Sequence, residues 1–218
     1  MSILIHGVPP SPFVRKVRVF LAEKNVPYEL KAQQPFGQSD EYLAISPLGK
    51  VPCFQDGDFT VPDSSVICAY VERTNPEPAL YPSDPKEYAQ ALWHEEYADS
   101  RLAEVCAGPF FQRIVRPLFF QQEPDEAIVT EIVNEKQPPA FDYLEGVLED
   151  GSEALVGGRF SIADVAAGSM LAQLVHADLD IDANRWPKLA AYRDAIHGRP
   201  SFKSCIEEEK AIFASLKK

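Results

Sequence analysis

"PPSPFVRKV", residues 9–17, is the stretch on which the fold turns. It follows a short apolar run, "SILIHG", that reads as a strand ending at Gly7. Ser11 stands where a helix N-cap belongs and Pro12 where the first helical residue belongs, both favoured there for backbone reasons alone. Over residues 12–24 the apolar side chains recur at helical spacing, with Phe13, Val17 and Phe20 on one stripe and Val14 and Leu21 beside it. Arg15, Lys16 and Arg18 mostly fall elsewhere. Downstream, "VPYELK" at 26–31 alternates as a strand, and a long connection follows. "VPCFQDGDFTV" at 51–61 then sets two short apolar runs around Asp56-Gly57, a hairpin signal. Asp63-Ser64-Ser65 offers a second N-cap, and "VICAYVERT" continues it as a helix. Strand, helix, strand, hairpin and helix in this order predict an α/β unit with a mixed sheet.

The rest of the chain reads differently. Pro76, Pro78, Pro82 and Pro85 crowd a segment that cannot hold a helix or a central strand. Residues 77–86 are therefore expected to link an N-terminal domain, 1–76, to an all-helical domain, 87–218. Amphipathic stretches run at about 86–120, 124–150, 161–178 and 187–214. "GGRFSIADVAAG" holds Ser161 and Asp164 at capping-box spacing, with Phe160 and Val165 placed for the accompanying hydrophobic staple.

The totals exclude several functions. The 218 residues are 45% hydrophobic and 25% charged, as in an ordinary globular protein. A net charge of −12 argues against nucleic acid and against an anionic membrane surface. No apolar run approaches the ~20 residues of a membrane span, and the N-terminus lacks a secretory pattern, so a cytoplasmic location is expected. Cys53, Cys68, Cys106 and Cys205 are scattered without a C-x-x-C, so no metal site is expected.

Three places carry polar groups suited to a ligand. Ser11 presents a hydroxyl at a helix N-terminus, where free N–H groups and a partial positive charge favour a thiolate or oxyanion. The backbone N–H of Phe13 is the alternative donor there, in place of the Ser11 hydroxyl. The Val51-Pro52 bond, if cis, turns the Val51 backbone outward to pair with an extended peptide. Asp63 and Ser64 put a carboxylate beside a hydroxyl and backbone N–H groups, a pair that grips the ammonium and carboxylate of an amino acid together. Each feature alone is also a plain cap or turn.

In combination these segments resemble the cytosolic glutathione S-transferases along essentially the whole chain. "SPLGKVPCF" resembles the family's segment ending in a cis-proline, and "VPDSSVICAYV" its acidic-Ser glutathione motif. "LVGGRFSIADVAAGSML" resembles the capping-box segment of the helical domain. "SPF" resembles the catalytic Ser-Pro-Phe of the tau class and, with serine for cysteine, the omega class. The resemblance implies a thioredoxin-like first domain followed by an all-α domain, with glutathione as co-substrate and no metal. It implies that Ser11 donates to the glutathione sulfur and that Val51, before Pro52, pairs with the cysteinyl part. Asp63 and Ser64 would hold the γ-glutamyl end, and Lys50 would reach the glycine carboxylate. The helical domain would bind a hydrophobic electrophile, with Tyr97, Phe110, Phe111 and Arg113 as candidate wall residues or as bundle core. A homodimer is implied, and detoxification by conjugation is the expected role. A glutathione-dependent peroxidase or disulfide reductase, and a non-catalytic binding module of the same fold, are the alternatives. Serine at position 11 cannot form a mixed disulfide, which disfavours thiol–disulfide chemistry at that residue. Cys53 follows Pro52 and is either a strand-packing residue or a neighbour of the sulfur.

Overall fold

A computed structural model describes residues 3–216 of the chain. It divides into two compact units, one up to Tyr81 together with the chain from Lys203 onward, the other from Pro82 to Phe202.

The first unit is built on a four-stranded mixed sheet in the order β2-β1-β3-β4. Strand β1 (Ile3–Gly7) runs parallel to β2 (Tyr28–Ala32) and antiparallel to β3 (Cys53–Asp56), which pairs with β4 (Phe59–Pro62). Helix α1 (Pro12–Glu23) connects β1 to β2, and α3 (Ser64–Thr74) follows β4. The apolar stripe read from the sequence is the buried one: Val14, Val17, Phe20 and Leu21 meet Ile5, Phe54 and Ile67, all at 0% exposure. Residues of this size each gain about 1.5–3 kcal/mol from full burial. Gly7 permits the close approach of strand and helix, since a Cβ there would lie 2.5 Å from the Val14 side chain. The hairpin loop is Gly57-Asp58, one residue beyond the expected turn, with Gly57 at a φ of 61° that suits a residue without a Cβ.

The connection after β2 is not structureless. It contains a short helix, α2 (Asp40–Ile45), capped by the Ser39 hydroxyl, which accepts the Tyr42 N–H at 3.3 Å. Six residues with one buried side chain, Tyr42, leave too little periodicity to show as a helix.

The second unit is helical. Its first long run comprises α4 (Pro85–Tyr97), a wide-turned π segment (Ala98–Ala107), α5 (Gly108–Phe110) and a second π segment (Phe111–Phe120). The next comprises α6 (Glu126–Glu131), a third π segment (Ile132–Lys136) and α7 (Gln137–Val147), with Pro138 and Pro139 in the first turn of α7. Helix α8 (Ile162–His176) is central: every residue except Val175 is buried, and it packs on α4 and the first π segment. The capping-box expectation holds at its start. The Asp164 carboxylate accepts the Ser161 N–H at 2.8 Å, and also the Leu155 N–H at 2.8 Å and the Tyr192 hydroxyl at 2.9 Å.

The stretch expected as one helix over 187–214 is two, α9 (Pro187–Gly198) and α10 (Pro200–Leu216). Arg199 between them is extended, with φ −63° and ψ 139°, as the residue before a proline prefers. The expected helical domain ran from 87 to the C-terminus, whereas the chain from Lys203 groups with the first unit. A buried ion pair links the two segments. Arg15 and Glu209, both at 0% exposure, meet through Nε–Oε1 at 2.9 Å and Nε–Oε2 at 3.1 Å. Arg18 binds Glu208, the preceding residue of α10. Among the described residues, no helix is long and apolar enough to cross a membrane.

Candidate functional site

Ser11, Phe13, Lys50, Val51, Pro52, Asp63 and Ser64 all lie in the first unit, in three segments: the start of α1, the entry to β3 and the turn from β4 into α3. Ser11 caps α1 in extended conformation (φ −68°, ψ 126°), and its Oγ accepts the Val14 N–H at 3.4 Å. That bond is long for N–H···O, so the cap is weak. The hydroxyl hydrogen of Ser11 has no acceptor among the described residues. The first turn of α1 holds no acidic side chain, so the positive end of the helix is not neutralised locally. Phe13 is half-buried in that turn.

The second segment is the entry to β3. The Val51-Pro52 bond is cis. The strand ladders begin at Cys53, so the Val51 N–H and C=O lie outside both. The approach is braced by α2 and the turn after it: the Tyr42 and Ser46 hydroxyls both donate to the Lys50 carbonyl at 2.8 Å. The Lys50 side chain is exposed. Sequence reasoning missed Tyr42 and Ser46 as supports; the cap-like "SDE" at 39–41 is the signal that would have found their helix. Cys53 is wholly buried, and burial pushes its thiol up to about 11. It stays protonated near neutral pH and supplies no thiolate.

The third segment is the turn into α3. Asp63 caps the helix through Oδ1, which accepts the Ser65 N–H at 2.9 Å and the Val66 N–H at 3.2 Å. Its backbone is held at φ 78°, ψ 127°, a region that side chains rarely adopt and that costs about 1–3 kcal/mol. Asp63 is exposed while Ser64 is buried at 4%. Lys16 supports this turn from α1: at 0% exposure, its Nζ donates to the Ser65 Oγ at 2.8 Å. Nothing in the local sequence distinguishes Lys16 from its basic neighbours. His6, at the end of β1, is tied to the Gln55 carboxamide at 3.1 Å and serves the sheet.

The four candidates in the helical unit are not alike. Tyr97 donates its hydroxyl to the Ala140 carbonyl at 3.2 Å and meets the Tyr143 ring at 4.6 Å in a tilted arrangement, and burial pushes its phenol up to about 12. Phe110 is buried beside the His176 ring. Arg113 is committed to a fork on Glu126, at 3.0 and 2.8 Å, and to the Ala177 carbonyl at 2.7 Å. Of the four, only Phe111 presents an exposed face. Among the described residues, no group of three or more His, Cys, Asp or Glu side chains is placed to hold a metal.

A parallel β1-β2 pair joined by α1, continued by an antiparallel hairpin entered through a cis-proline, defines a thioredoxin-like domain, here with an all-helical domain after it. Profiles described as "Glutathione S-transferase, N-terminal domain" and "Glutathione S-transferase, C-terminal domain" match residues 5–79 and 110–209. The chain belongs to the glutathione S-transferase family. It is 27% identical over 213 residues to a glutathione S-transferase of Hyoscyamus muticus, covering 95% of this chain and 99% of the relative. Among solved structures it resembles glutathione transferase F7 of Populus trichocarpa, at 26% identity and a TM-score of 0.83, over 94% of this chain and 98% of that one. A glutathione S-transferase of Methylobacterium radiotolerans, solved in complex with glutathione sulfonate, superposes at a TM-score of 0.76 with 27% identity, over 94% and 95% of the two chains.

Proposed function

We propose that the enzyme activates glutathione through Ser11 and conjugates it to a hydrophobic electrophile. The observation that carries this reading is the Ser11 hydroxyl: it caps the helix only weakly and keeps its hydrogen to donate. Glutathione's thiol, like free cysteine, has a pKa of roughly 8.5 and is only a few per cent ionised at neutral pH. Each unit of lowering is about 1.4 kcal/mol of preference for the thiolate. One hydroxyl donor together with the α1 N-terminus supplies about one or two such units. The Phe13 N–H is a further donor at the same helix end.

The rest of the peptide meets groups of matching chemistry. The Val51 N–H and C=O, outside the ladders, pair with the cysteinyl backbone next to Pro52. Asp63 and Ser64 take the γ-glutamyl ammonium and carboxylate, and exposed Lys50 reaches the glycine carboxylate. The thiolate then attacks an electrophilic carbon, forms the C–S bond and expels the leaving group, or adds to an activated alkene that afterwards takes a proton. Phe111 is the wall residue with an exposed apolar face in the helical unit. A cytoplasmic homodimer is the expected working form, testable by sedimentation at micromolar concentration.

The test is the ultraviolet thiolate band of bound glutathione at neutral pH, in wild type and in Ser11→Ala. A band that fades in the variant while glutathione still binds supports the assignment. Binding without a band in wild type refutes thiolate activation, and absence of binding refutes the enzyme reading.

A further inference from the structure

The helical unit contains a cleft that none of the roles above uses. It encloses about 340 Å³ and is lined by Trp93 and His94 of α4, Tyr143 of α7, and Glu149 and Gly157 from the chain leading to α8. That volume is of the size that holds a small ligand.

Its walls have a definite chemistry. Trp93 is 53% exposed, and its indole N–H is spent on the Tyr143 hydroxyl at 2.6 Å. What it offers a ligand is therefore the face of its ring. Tyr143 meets the His94 ring edge-on at 6.1 Å. His94 is only 6% exposed, and its buried Nδ1 has no hydrogen-bond partner among the described residues. A polar atom that deeply buried ordinarily has a partner. The charged lining residue is Glu149, exposed and without an ion pair among the described residues, and no lysine or arginine lines the cleft.

Aromatic faces, a carboxylate and an absence of lining cations select the sign of the guest. We propose that this cleft is a binding site for a small organic cation, held against the Trp93 and Tyr143 faces with Glu149 as counter-charge and His94 as the inner polar contact. A ring quadrupole attracts a desolvated cation and gives an anion nothing. The net charge of −12 attracts the same class of ligand from a distance. Burial holds the His94 imidazole below its ordinary pKa, so it stays neutral at neutral pH and does not repel the guest. The proposal stands apart from the glutathione reading, since every residue it uses lies in the helical unit.

The test is titration of the full chain with benzyltrimethylammonium, followed by calorimetry and, in wild type, by tryptophan fluorescence. The expected result is saturable binding of one equivalent. Trp93→Leu, at a largely exposed position, is expected to weaken it about tenfold, and Glu149→Gln several-fold. Benzoate of similar size is expected not to bind. Both variants are expected to retain wild-type thermal midpoints and glutathione affinity, which separates loss of the site from loss of the fold. Absence of saturation into the millimolar range, equal affinity for benzoate, or unchanged binding in Trp93→Leu would overturn the proposal.

Discussion

Three substitutions at Asp63 separate its duty as a helix cap from its proposed role in holding glutathione. Asp63→Asn keeps an acceptor for the Ser65 and Val66 N–H groups and tolerates a positive φ, so stability should change by less than about 0.5 kcal/mol. Asp63→Ala removes both cap bonds and keeps the φ of 78°, so a loss of about 1 kcal/mol or more is expected. Asp63→Gly loses only a few tenths as a cap and releases about 1–3 kcal/mol of backbone strain, so it should match or exceed wild type. Glutathione affinity should follow a different order. All three variants lack the carboxylate, and a hydrogen bond to a charged group is worth about 1.5–3 kcal/mol, which at an exposed position sets an expected loss of about tenfold. Urea unfolding gives the first order and calorimetric titration with glutathione the second. A glycine variant that is more stable but binds glutathione poorly would show that the strained turn is retained for the ligand. Wild-type affinity in Asp63→Gly would refute the ligand role, and a glycine variant less stable than alanine would refute the strain argument.

The Arg15–Glu209 pair should be costly to break and nearly neutral to replace. Glu209→Leu alone removes the carboxylate from a buried guanidinium and should cost about 3–5 kcal/mol in urea unfolding, whereas Arg15→Met with Glu209→Leu should recover most of it. A double variant as unstable as the single one would refute this. Asp164 should give stability a distinctive pH slope. Burial raises its carboxyl from 3.8 to about 6, against the pull of its hydrogen bonds. The folded state therefore holds the proton more tightly than the unfolded chain, and the contribution is complete below the ordinary carboxylate range and lost as pH rises through about 6. Measured against Asp164→Asn, wild type should lose about 3 kcal/mol across that window; a difference that grows with pH would refute it.

What was legible in the sequence was whatever short-range rules control. Ser11-Pro12, Asp63 and the Ser161/Asp164 box are hydrogen bonds closed within three residues, so each can be read from its own neighbourhood. The stripe of α1 and the Gly57 turn are equally local. The break at Arg199-Pro200 was also local but was passed over, because the apolar spacing continues across it.

Tertiary structure alone decided the rest. Arg15 and Glu209 are 194 positions apart, and nothing around either announces the other; their meeting joins the last helix to the first unit. The positive φ of Asp63 follows from how β4 hands over to α3, not from any preference of aspartate. Lys16 is one of three nearby basic residues until α3 brings Ser65 to its ammonium. The cleft beside Trp93 exists only where α4, α7 and the chain before α8 converge. A sequence determines bonds whose two ends are neighbours along the chain. A buried charge pair, a strained turn or a cavity takes its energy from groups that only the fold makes neighbours.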